Sequence, residues 1–245
     1  MISFFIMKYV PNLITSLNLA SGFIAIIFAA NGDLITASWL IAAAMVFDFL
    51  DGFSARLLKA YSDIGKELDS LADVVSFGVA PGLIIYTLLN DSLSLNAPAM
   101  ITSEGIKLSL ILIIPAIMPV CAALRLAIFN VDKTQTTSFK GLPTPANALA
   151  VISLVIAAHY SQTAIFSSFT GSPALLIVYA IILSLLMVSR IPLLSLKFSD
   201  LKLKGNEGRY ILAGLVLLSF AVIGINAAPL VIPLYIIASL LSLLF

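Results

Sequence analysis

The sequence predicts an all-α, polytopic integral membrane protein with about eight transmembrane helices, and three observations support this prediction. Apolar residues make up 61% of the chain and charged residues only 10%, whereas a soluble domain carries about 25% charged residues. The apolar residues are grouped into runs of roughly 20, the length that crosses a bilayer as a helix. The net charge of +1 argues against a nucleic-acid partner, which would require a basic face.

Eight apolar runs are the predicted membrane spans. They cover residues 11–30, 34–58, 68–89, 108–129, 144–166, 172–190, 208–225 and 228–245. Segments that are polar or rich in turn-forming residues, such as Asn31-Gly32-Asp33 and residues 202–208, separate most of them. Only residues 226–229 separate the last two runs, so seven spans is the alternative count.

The distribution of basic residues predicts the orientation. With a cytoplasmic N-terminus, 12 of the 13 Lys and Arg residues fall on the cytoplasmic side, in agreement with the positive-inside rule. The twelve are Lys8, Arg56, Lys59, Lys66, Arg125, Lys133, Lys140, Arg190, Lys197, Lys202, Lys204 and Arg209, and the exception is Lys107. We therefore expect a multi-pass protein of the cell (inner) membrane with both termini in the cytoplasm.

Four aspartates are placed to converge near the cytoplasmic surface. Asp48 and Asp51 are three residues apart and Asp69 and Asp73 four apart, so each pair shares one face of its helix. The loop between the helices allows them to run antiparallel. Asp48 lies within an apolar run, where an ionised carboxylate is costly unless it is compensated. The nearby Asp63, by contrast, is predicted to be an ordinary helix N-cap.

Four carboxylates in one pocket repel each other strongly unless they are protonated or bind cations. Oxygen ligands without His or Cys favour hard cations such as Mg²⁺, Mn²⁺ or Ca²⁺. Two metal ions bridged by carboxylates suit a phosphoryl displacement. Gly52 and Ala55 leave room for a bulky ligand, Arg56 is suited to bind phosphate, and Gly65 allows a sharp entry into the second helix.

The spacing of these residues forms a specific motif of eight fixed positions over 26 residues. It reads Asp48-x2-Asp51-Gly52-x2-Ala55-Arg56-x8-Gly65-x3-Asp69-x3-Asp73. At every fixed position and spacing the chain resembles the CDP-alcohol phosphatidyltransferase family. Further similarity lies in Pro11-Asn12-x2-Thr15, Val75-Ser76-Phe77-Gly78-Val79-Ala80-Pro81, Leu124-Arg125-Leu126-Ala127-Ile128-Phe129-Asn130 and Gly141-Leu142-Pro143-Thr144-Pro145-Ala146. These strings resemble the branch of the family that uses serine as the acceptor.

The resemblance implies an enzyme in which the hydroxyl of L-serine attacks the β-phosphorus of CDP-diacylglycerol, giving phosphatidylserine and CMP. It implies that Asp48, Asp51, Asp69 and Asp73 hold two divalent cations, Mg²⁺ or Mn²⁺, and that Asp73 is also the general base. The CDP-diacylglycerol site would comprise Asn12, Thr15, Gly52, Arg56, Ser62 and Gly65. A homodimer is implied as well. We expect a single membrane domain over residues 1–245, with a six-helix catalytic core at 9–190 and a C-terminal helix pair at 191–245.

The acceptor pocket is predicted from the chemistry of serine, a zwitterion whose carboxylate needs a cation. Arg125 lies near the cytoplasmic end of the fourth span, where it is costly without an anionic partner. We expect Arg125 to bind the serine carboxylate, with Asn130 and Lys140 lining the pocket. In the alternative, Arg125 extends to phospholipid headgroups.

Two other functions are compatible with parts of the pattern. The first is the same chemistry with another acceptor, such as glycerol 3-phosphate or inositol; a phosphorylated acceptor would need more than one cation in the pocket, which Arg125 with Lys140 could supply. A divalent-cation transporter would also contain intramembrane carboxylates. Its acidic residues should follow a route through several helices, whereas here they are predicted to lie on two adjacent helix ends.

Overall fold

The computed structural model describes residues 9–94, 110–132, 138–194 and 206–242, and these residues are almost entirely helical. The α-helices are α1 (Val10–Ala30), α2 (Leu34–Leu57), α3 (Asp63–Asp73), α4 (Ala80–Ser94), α5 (Ile117–Val131), α6 (Thr144–Tyr160), α7 (Ala164–Thr170), α8 (Pro173–Val188), α9 (Glu207–Ile223) and α10 (Val231–Leu241). A π-helical segment, Val74–Val79, joins α3 to α4, and 3-10 segments at Ile114–Ala116 and Gly224–Leu230 precede α5 and α10. Two short strands, β1 (Ser138–Lys140) and β2 (Pro192–Leu194), pair antiparallel.

The prediction of an all-α membrane protein is confirmed, whereas the count of eight spans is not. Among the described residues, five helical segments are long and apolar enough to cross a membrane. They are Val10–Ala30, Leu34–Leu57, Asp63–Leu93, Ile114–Val131 and Glu207–Leu241. The pair formed by α7 and α8 would be a sixth span, although it is bent by 81°. The chain is therefore a multi-pass membrane protein.

The predicted spans differ from these segments at α6 and at the C-terminal helices α9 and α10. Helix α6 has only 17 residues, and most of its side chains are buried against other helices rather than facing lipid. Helices α9 and α10 are joined by the 3-10 segment Gly224–Leu230. The chain reverses direction at Gly224, which has a φ of 56°, so the two helices fold back on each other. A Cβ on Gly208 would lie 2.8 Å from Cβ of Ser242, so the start of α9 contacts the end of α10. The two helices thus form a hairpin.

Several of the basic residues used to predict the orientation lie outside the described residues, namely Lys8, Lys107, Lys133, Lys197, Lys202 and Lys204. Residues 108–109 and 243–245, at the edges of the predicted spans 108–129 and 228–245, also lie outside the described residues.

The helix that carries Asp69 and Asp73 begins at a side-chain cap. The backbone N–H of Gly65 donates to Oγ of Ser62 at 3.0 Å, so Ser62 is the N-cap of α3. The prediction that Asp63 is the N-cap was wrong by one position. Asp63 instead occupies the first turn, where its negative charge is favourable to the helix dipole.

Close backbone packing brings α1 against the π-helical segment. A Cβ on Gly22 would overlap Oγ of Ser76 and lie 2.7 Å from its Cα, so only glycine allows this approach. The Ser76 hydroxyl donates to the backbone oxygen of Asn18 at 3.0 Å, and the side chain of Asn147 on α6 donates to the backbone oxygen of Phe77 at 3.0 Å. These contacts fix the chain immediately after Asp73, because π-helical turns leave carbonyl groups that need other donors.

A glycine also determines how the loop before α6 meets the end of α8. Gly141 has a φ of 78°, and a Cβ there would lie 2.5 Å from the backbone oxygen of Met187 and 2.7 Å from that of Ser189. Its N–H donates to the backbone oxygen of Ile191 at 2.9 Å. Any other residue would therefore be strained and would displace backbone.

We predict that Gly141→Ala lowers the stability of the purified protein. The positive φ alone costs about 1–3 kcal/mol for a residue with a Cβ, and the contacts with two carbonyl oxygens add to this cost. The measurement is the temperature at which half of the detergent-solubilised protein is lost from the monodisperse peak in size-exclusion chromatography. Gly214→Ala on α9 is the control, because a Cβ there meets nothing within 4 Å. Equal midpoints for the two variants would contradict the prediction.

Candidate active site

Three of the four predicted carboxylates come together where α2 and α3 meet. Asp48, Asp51 and Asp69 each offer an oxygen, and these oxygens all lie within 4.8 Å of one another. Asp51 is buried, and Asp48 and Asp69 are half-buried. The two pairs converge because their spacings of three and four residues place each pair on one helix face.

The fourth carboxylate, Asp73, lies deeper and is bound by two side chains from other helices. It is 7% exposed. Nδ2 of Asn18 on α1 donates to its Oδ1, and Oγ1 of Thr144 on α6 donates to its Oδ2, both at 3.4 Å. Asp73 also interacts electrostatically with Asp48 and Asp69. It is thus adjacent to the group of three and held in a fixed orientation.

The group of three carboxylates is suited to bind a metal ion. Oδ1 of Asp69 is buried and has no hydrogen-bond partner among the described residues, and a buried oxygen without a partner is costly. All of the ligand atoms are carboxylate oxygens, the donors that hard divalent cations prefer. A cation bound here would supply the missing partner and offset the repulsion between the acids.

A cavity of about 510 Å³ opens next to this group. Every residue that the sequence predicts to bind CDP-diacylglycerol lines it: Asn12, Thr15, Gly52, Arg56, Ser62 and Gly65. Asp48, Asp51 and Asp69 form part of the same wall. The cavity also contains Tyr61 and Lys66, which the sequence analysis did not select.

Local contacts shape this cavity. The Thr15 hydroxyl donates to Oδ2 of Asp51 at 2.6 Å, which links α1 directly to the carboxylate group. Nε of Arg56 donates to the backbone oxygen of Gly52 at 3.0 Å. A Cβ on Gly65 would lie 2.8 Å from Oδ1 of Asn12, so the glycine leaves the space in which the Asn12 amide sits.

A second cavity, of about 410 Å³, lies around Arg125. Arg125 is 8% exposed, its Nε has no hydrogen-bond partner among the described residues, and its guanidinium lies 5.9 Å from the ring centroid of Phe129. Lys140, Arg190 and Asp132 also line the cavity, and Nζ of Lys140 lies 2.9 Å from Oδ2 of Asp132. Three cations and one carboxylate therefore surround this space.

Asn130 lies apart from the second cavity. Its Nδ2 donates to Oγ of Ser70 on α3 at 2.9 Å, and its backbone oxygen accepts from Nζ of Lys66 at 3.3 Å. Asn130 follows Arg125 by five residues, which places the two side chains about 140° apart around the helix. Asn130 therefore connects α5 to the helix that carries Asp69 and Asp73.

Sequence reasoning missed several polar residues that contact Asp73 or line the second cavity. Asn18 and Thr144 bind Asp73, and both are fully buried. The sequence could have identified Asn18 as a site residue, because it lies three residues after Thr15 and therefore on the same helix face. Arg190 and Asp132 stand at helix ends, where the sequence alone gave no reason to prefer them over other charged residues.

Comparisons with known proteins agree with this geometry. A CDP-diacylglycerol–serine O-phosphatidyltransferase of Bacillus subtilis (strain 168) is 36% identical over 185 residues, which cover 76% of this chain and 89% of that protein. An enzyme of the same name from Helicobacter pylori (strain 26695) is 31% identical over 240 residues, 96% of this chain and 91% of that protein. An archaetidylserine synthase of Methanothermobacter thermautotrophicus is 36% identical over 154 residues, 62% of this chain and 60% of that protein.

The sequence profile of the CDP-alcohol phosphatidyltransferase family matches residues 8–188, a range that contains all four aspartates, every residue that lines the first cavity, and the lining of the second cavity except Ser189 and Arg190. This chain therefore belongs to the CDP-alcohol phosphatidyltransferase family.

Proposed function

We propose that this protein transfers the phosphatidyl group of CDP-diacylglycerol to the hydroxyl of L-serine, giving phosphatidylserine and CMP, and is thus a CDP-diacylglycerol–serine O-phosphatidyltransferase. The family membership supports the chemistry, and the names of the relatives in Bacillus subtilis and Helicobacter pylori support serine as the acceptor. The bilayer supplies the lipid donor, which explains why the site is built from membrane helices.

The position of Asp73 between the two cavities carries this proposal. On one side Asp73 interacts electrostatically with Asp48 and Asp69, which line the first cavity. On the other side it interacts electrostatically with Arg125, which lines the second. In the proposed reaction, Asp73 accepts the proton of a nucleophile held in the second cavity while that nucleophile attacks a phosphorus held in the first.

The first cavity is the proposed site of the CDP moiety. Arg56 presents a planar guanidinium suited to phosphate oxygens, and Asn12 supplies an amide from α1, with Thr15, Gly52, Ser62 and Gly65 completing the site. Two divalent cations, Mg²⁺ or Mn²⁺, held by Asp48, Asp51, Asp69 and Asp73 would neutralise the pyrophosphate and polarise the reacting phosphorus.

The transfer requires one proton movement and one displacement. Asp73 accepts the proton of the serine hydroxyl as the serine oxygen bonds to the β-phosphorus. The bond from that phosphorus to the oxygen shared with the α-phosphate breaks, and CMP leaves with this oxygen. Asn18 and Thr144 keep the Asp73 carboxylate oriented, because each binds one of its two oxygens.

The second cavity is the proposed site of serine. Arg125 would bind the carboxylate, since its buried guanidinium has a donor without a partner. Lys140 would add a second positive charge, and Asp132 offers an acceptor for the ammonium group. Asn130 is placed to hold α5 against α3 at the edge of this region. A cavity with three cations would also accept a phosphorylated alcohol, so glycerol 3-phosphate is the acceptor to test against serine.

The remaining features of the proposal concern topology and assembly. We place the site at the cytoplasmic face of the cell (inner) membrane with the N-terminus inside, because Arg56, Lys66, Lys140 and Arg190 all lie at the end of the bundle that contains the carboxylates. We retain the division into a catalytic core at 9–190 and a C-terminal helix pair at 191–245 within one membrane domain, and the homodimer implied by the family resemblance.

Removal of the divalent cation or of a carboxylate ligand should abolish activity. We predict that Asp51→Asn lowers serine-dependent CMP release by at least about 100-fold, since even outer-shell partners of a bound metal contribute 10–100-fold. EDTA should abolish the wild-type reaction, and Mn²⁺ or Mg²⁺ should restore it. Glu67→Gln is the matched control, because Glu67 is an exposed acid on the same helix as Asp69. Full activity in EDTA would contradict the metal assignment.

The two arginines should affect different substrates. We predict that Arg125→Ala raises the KM for serine by about tenfold or more, the effect of losing one charge-assisted hydrogen bond, with little change in the KM for CDP-diacylglycerol. Arg56→Ala should do the reverse. The measurement is CMP release by purified protein with each substrate varied in turn and with serine, glycerol 3-phosphate or inositol as the acceptor. An unchanged KM for serine in Arg125→Ala would refute the pocket assignment.

The orientation can be tested by labelling introduced cysteines. The natural Cys121 is buried, so a Cys121→Ala background removes residual labelling without exposing a new site. We predict that a membrane-impermeant maleimide labels Asn31→Cys in right-side-out membrane vesicles and Glu67→Cys only in inside-out vesicles. These positions lie beyond opposite ends of α2. The reverse pattern would invert the proposed topology.

A further inference from the structure

The C-terminal hairpin lies outside the region that matches the family profile, yet it binds the strand next to the second cavity. On α10 the hydroxyl of Tyr235 donates to the backbone oxygen of Leu194 at 2.9 Å. Oγ of Ser239, one turn further along, accepts from the backbone N–H of Leu194 at 3.1 Å. Both backbone polar groups of Leu194 therefore bond to side chains of the hairpin.

These two side chains are the only polar ones in α10, whose sequence runs Val231–Leu241. Tyr235 is 4% exposed and Ser239 is 1% exposed. A backbone group that is withdrawn from water and has no partner is costly, so the pair of hydrogen bonds is a strong restraint on β2. Because their spacing of four residues puts both hydroxyls on one helix face, they bind a single residue of the strand.

Strand β2 in turn determines the position of two cations of the second cavity. Pro192 is paired in register with Lys140 on β1, and Arg190 lies two residues before Pro192. Lys140 and Arg190 both line the cavity. The Tyr235 hydroxyl also interacts electrostatically with Arg125. A displacement of Leu194 would thus be passed to Lys140 and Arg190, whereas the described residues that line the first cavity lie on α1, α2, α3 and the loop between α2 and α3.

We propose that Tyr235 and Ser239 are positioning residues for the acceptor: by holding Leu194 they keep Lys140 and Arg190 in the geometry that binds the acceptor's anionic group. This inference rests on the proposed function of the second cavity as the acceptor site. It assigns the C-terminal hairpin a role in acceptor affinity, although the described lining of the cavity includes no residue of the hairpin.

The test is steady-state CMP release by the full-length protein with Tyr235→Phe and Ser239→Ala. Each variant removes one hydrogen bond to Leu194 and should raise the KM for serine about three- to tenfold, the fold-change of one hydrogen bond of ordinary strength. The KM for CDP-diacylglycerol and kcat should stay within about twofold, since only binding of the acceptor is altered. Tyr86→Phe is the control for the tyrosine, because Tyr86 is exposed on α4.

Ser219→Ala is the control for the serine, because the hydroxyl of Ser219, among the residues that the structure describes, donates only to the backbone oxygen of Leu215 in its own helix. A folded variant with a wild-type KM for serine would overturn the proposal and leave Tyr235 and Ser239 as packing residues. A parallel rise in the KM for CDP-diacylglycerol would overturn it as well. If Tyr235→Phe does not fold, Ser239→Ala decides the question, and failure of both to fold would overturn the positioning role.

Failure of the proposed function gives a different result. It would be seen in the wild-type protein as CMP release that depends on another acceptor and not on serine. In that case the same variants are assayed with that acceptor, and a rise in its KM alone would still support the role of Leu194 and the hairpin.

Discussion

The mutual repulsion of carboxylates that are withdrawn from water is the constraint on which the rest of this structure depends. Asp48, Asp51 and Asp69 hold oxygens within 4.8 Å of one another, an arrangement that is unfavourable without cations or protons. Asp73 adds a fourth acid beside them. The surrounding polar groups stabilise the carboxylates, since Thr15 donates to Asp51 and both Asn18 and Thr144 donate to Asp73. The fold thus prepares a strongly anionic site that favours divalent cations.

Such a site must also be kept rigid, because a shift of a ligand oxygen by an ångström would weaken the binding of a small cation. The structure achieves this by bringing backbones into close contact. Gly22 allows α1 to approach Ser76, and the π-helical segment that begins directly after Asp73 is bound from α1 and α6. Short π-helical segments are frequent at functional sites. The unusual helix therefore serves to hold Asp73 in place.

The carboxylate site was predictable from the sequence because spacing along a helix fixes which side chains share a face. Residues such as Asn18 and Thr144 were not, since their contacts with Asp73 join helices that are distant in sequence. The all-α class followed from composition, whereas the number of spans depended on how α6 and the C-terminal hairpin pack. Asn130 was expected beside Arg125, but the helical rotation between them directs it to Ser70. Helical periodicity thus predicted which side chains share a face, whereas contacts between helices distant in sequence could not be predicted from it.

Because different residues line the two cavities, the acceptor that such an enzyme uses can change independently of its donor site. The proposed donor site combines the aspartates with Arg56, and residues of α1, α2 and α3 line its cavity. The proposed acceptor side is lined by Arg125, Lys140 and Arg190, and Asp73 interacts with residues of both sides. Substitutions among the residues of the acceptor side can alter which alcohol binds without disturbing the site of the reacting phosphorus. A hairpin that restrains β2 from outside the shared core is therefore a suitable place for selection to tune acceptor affinity.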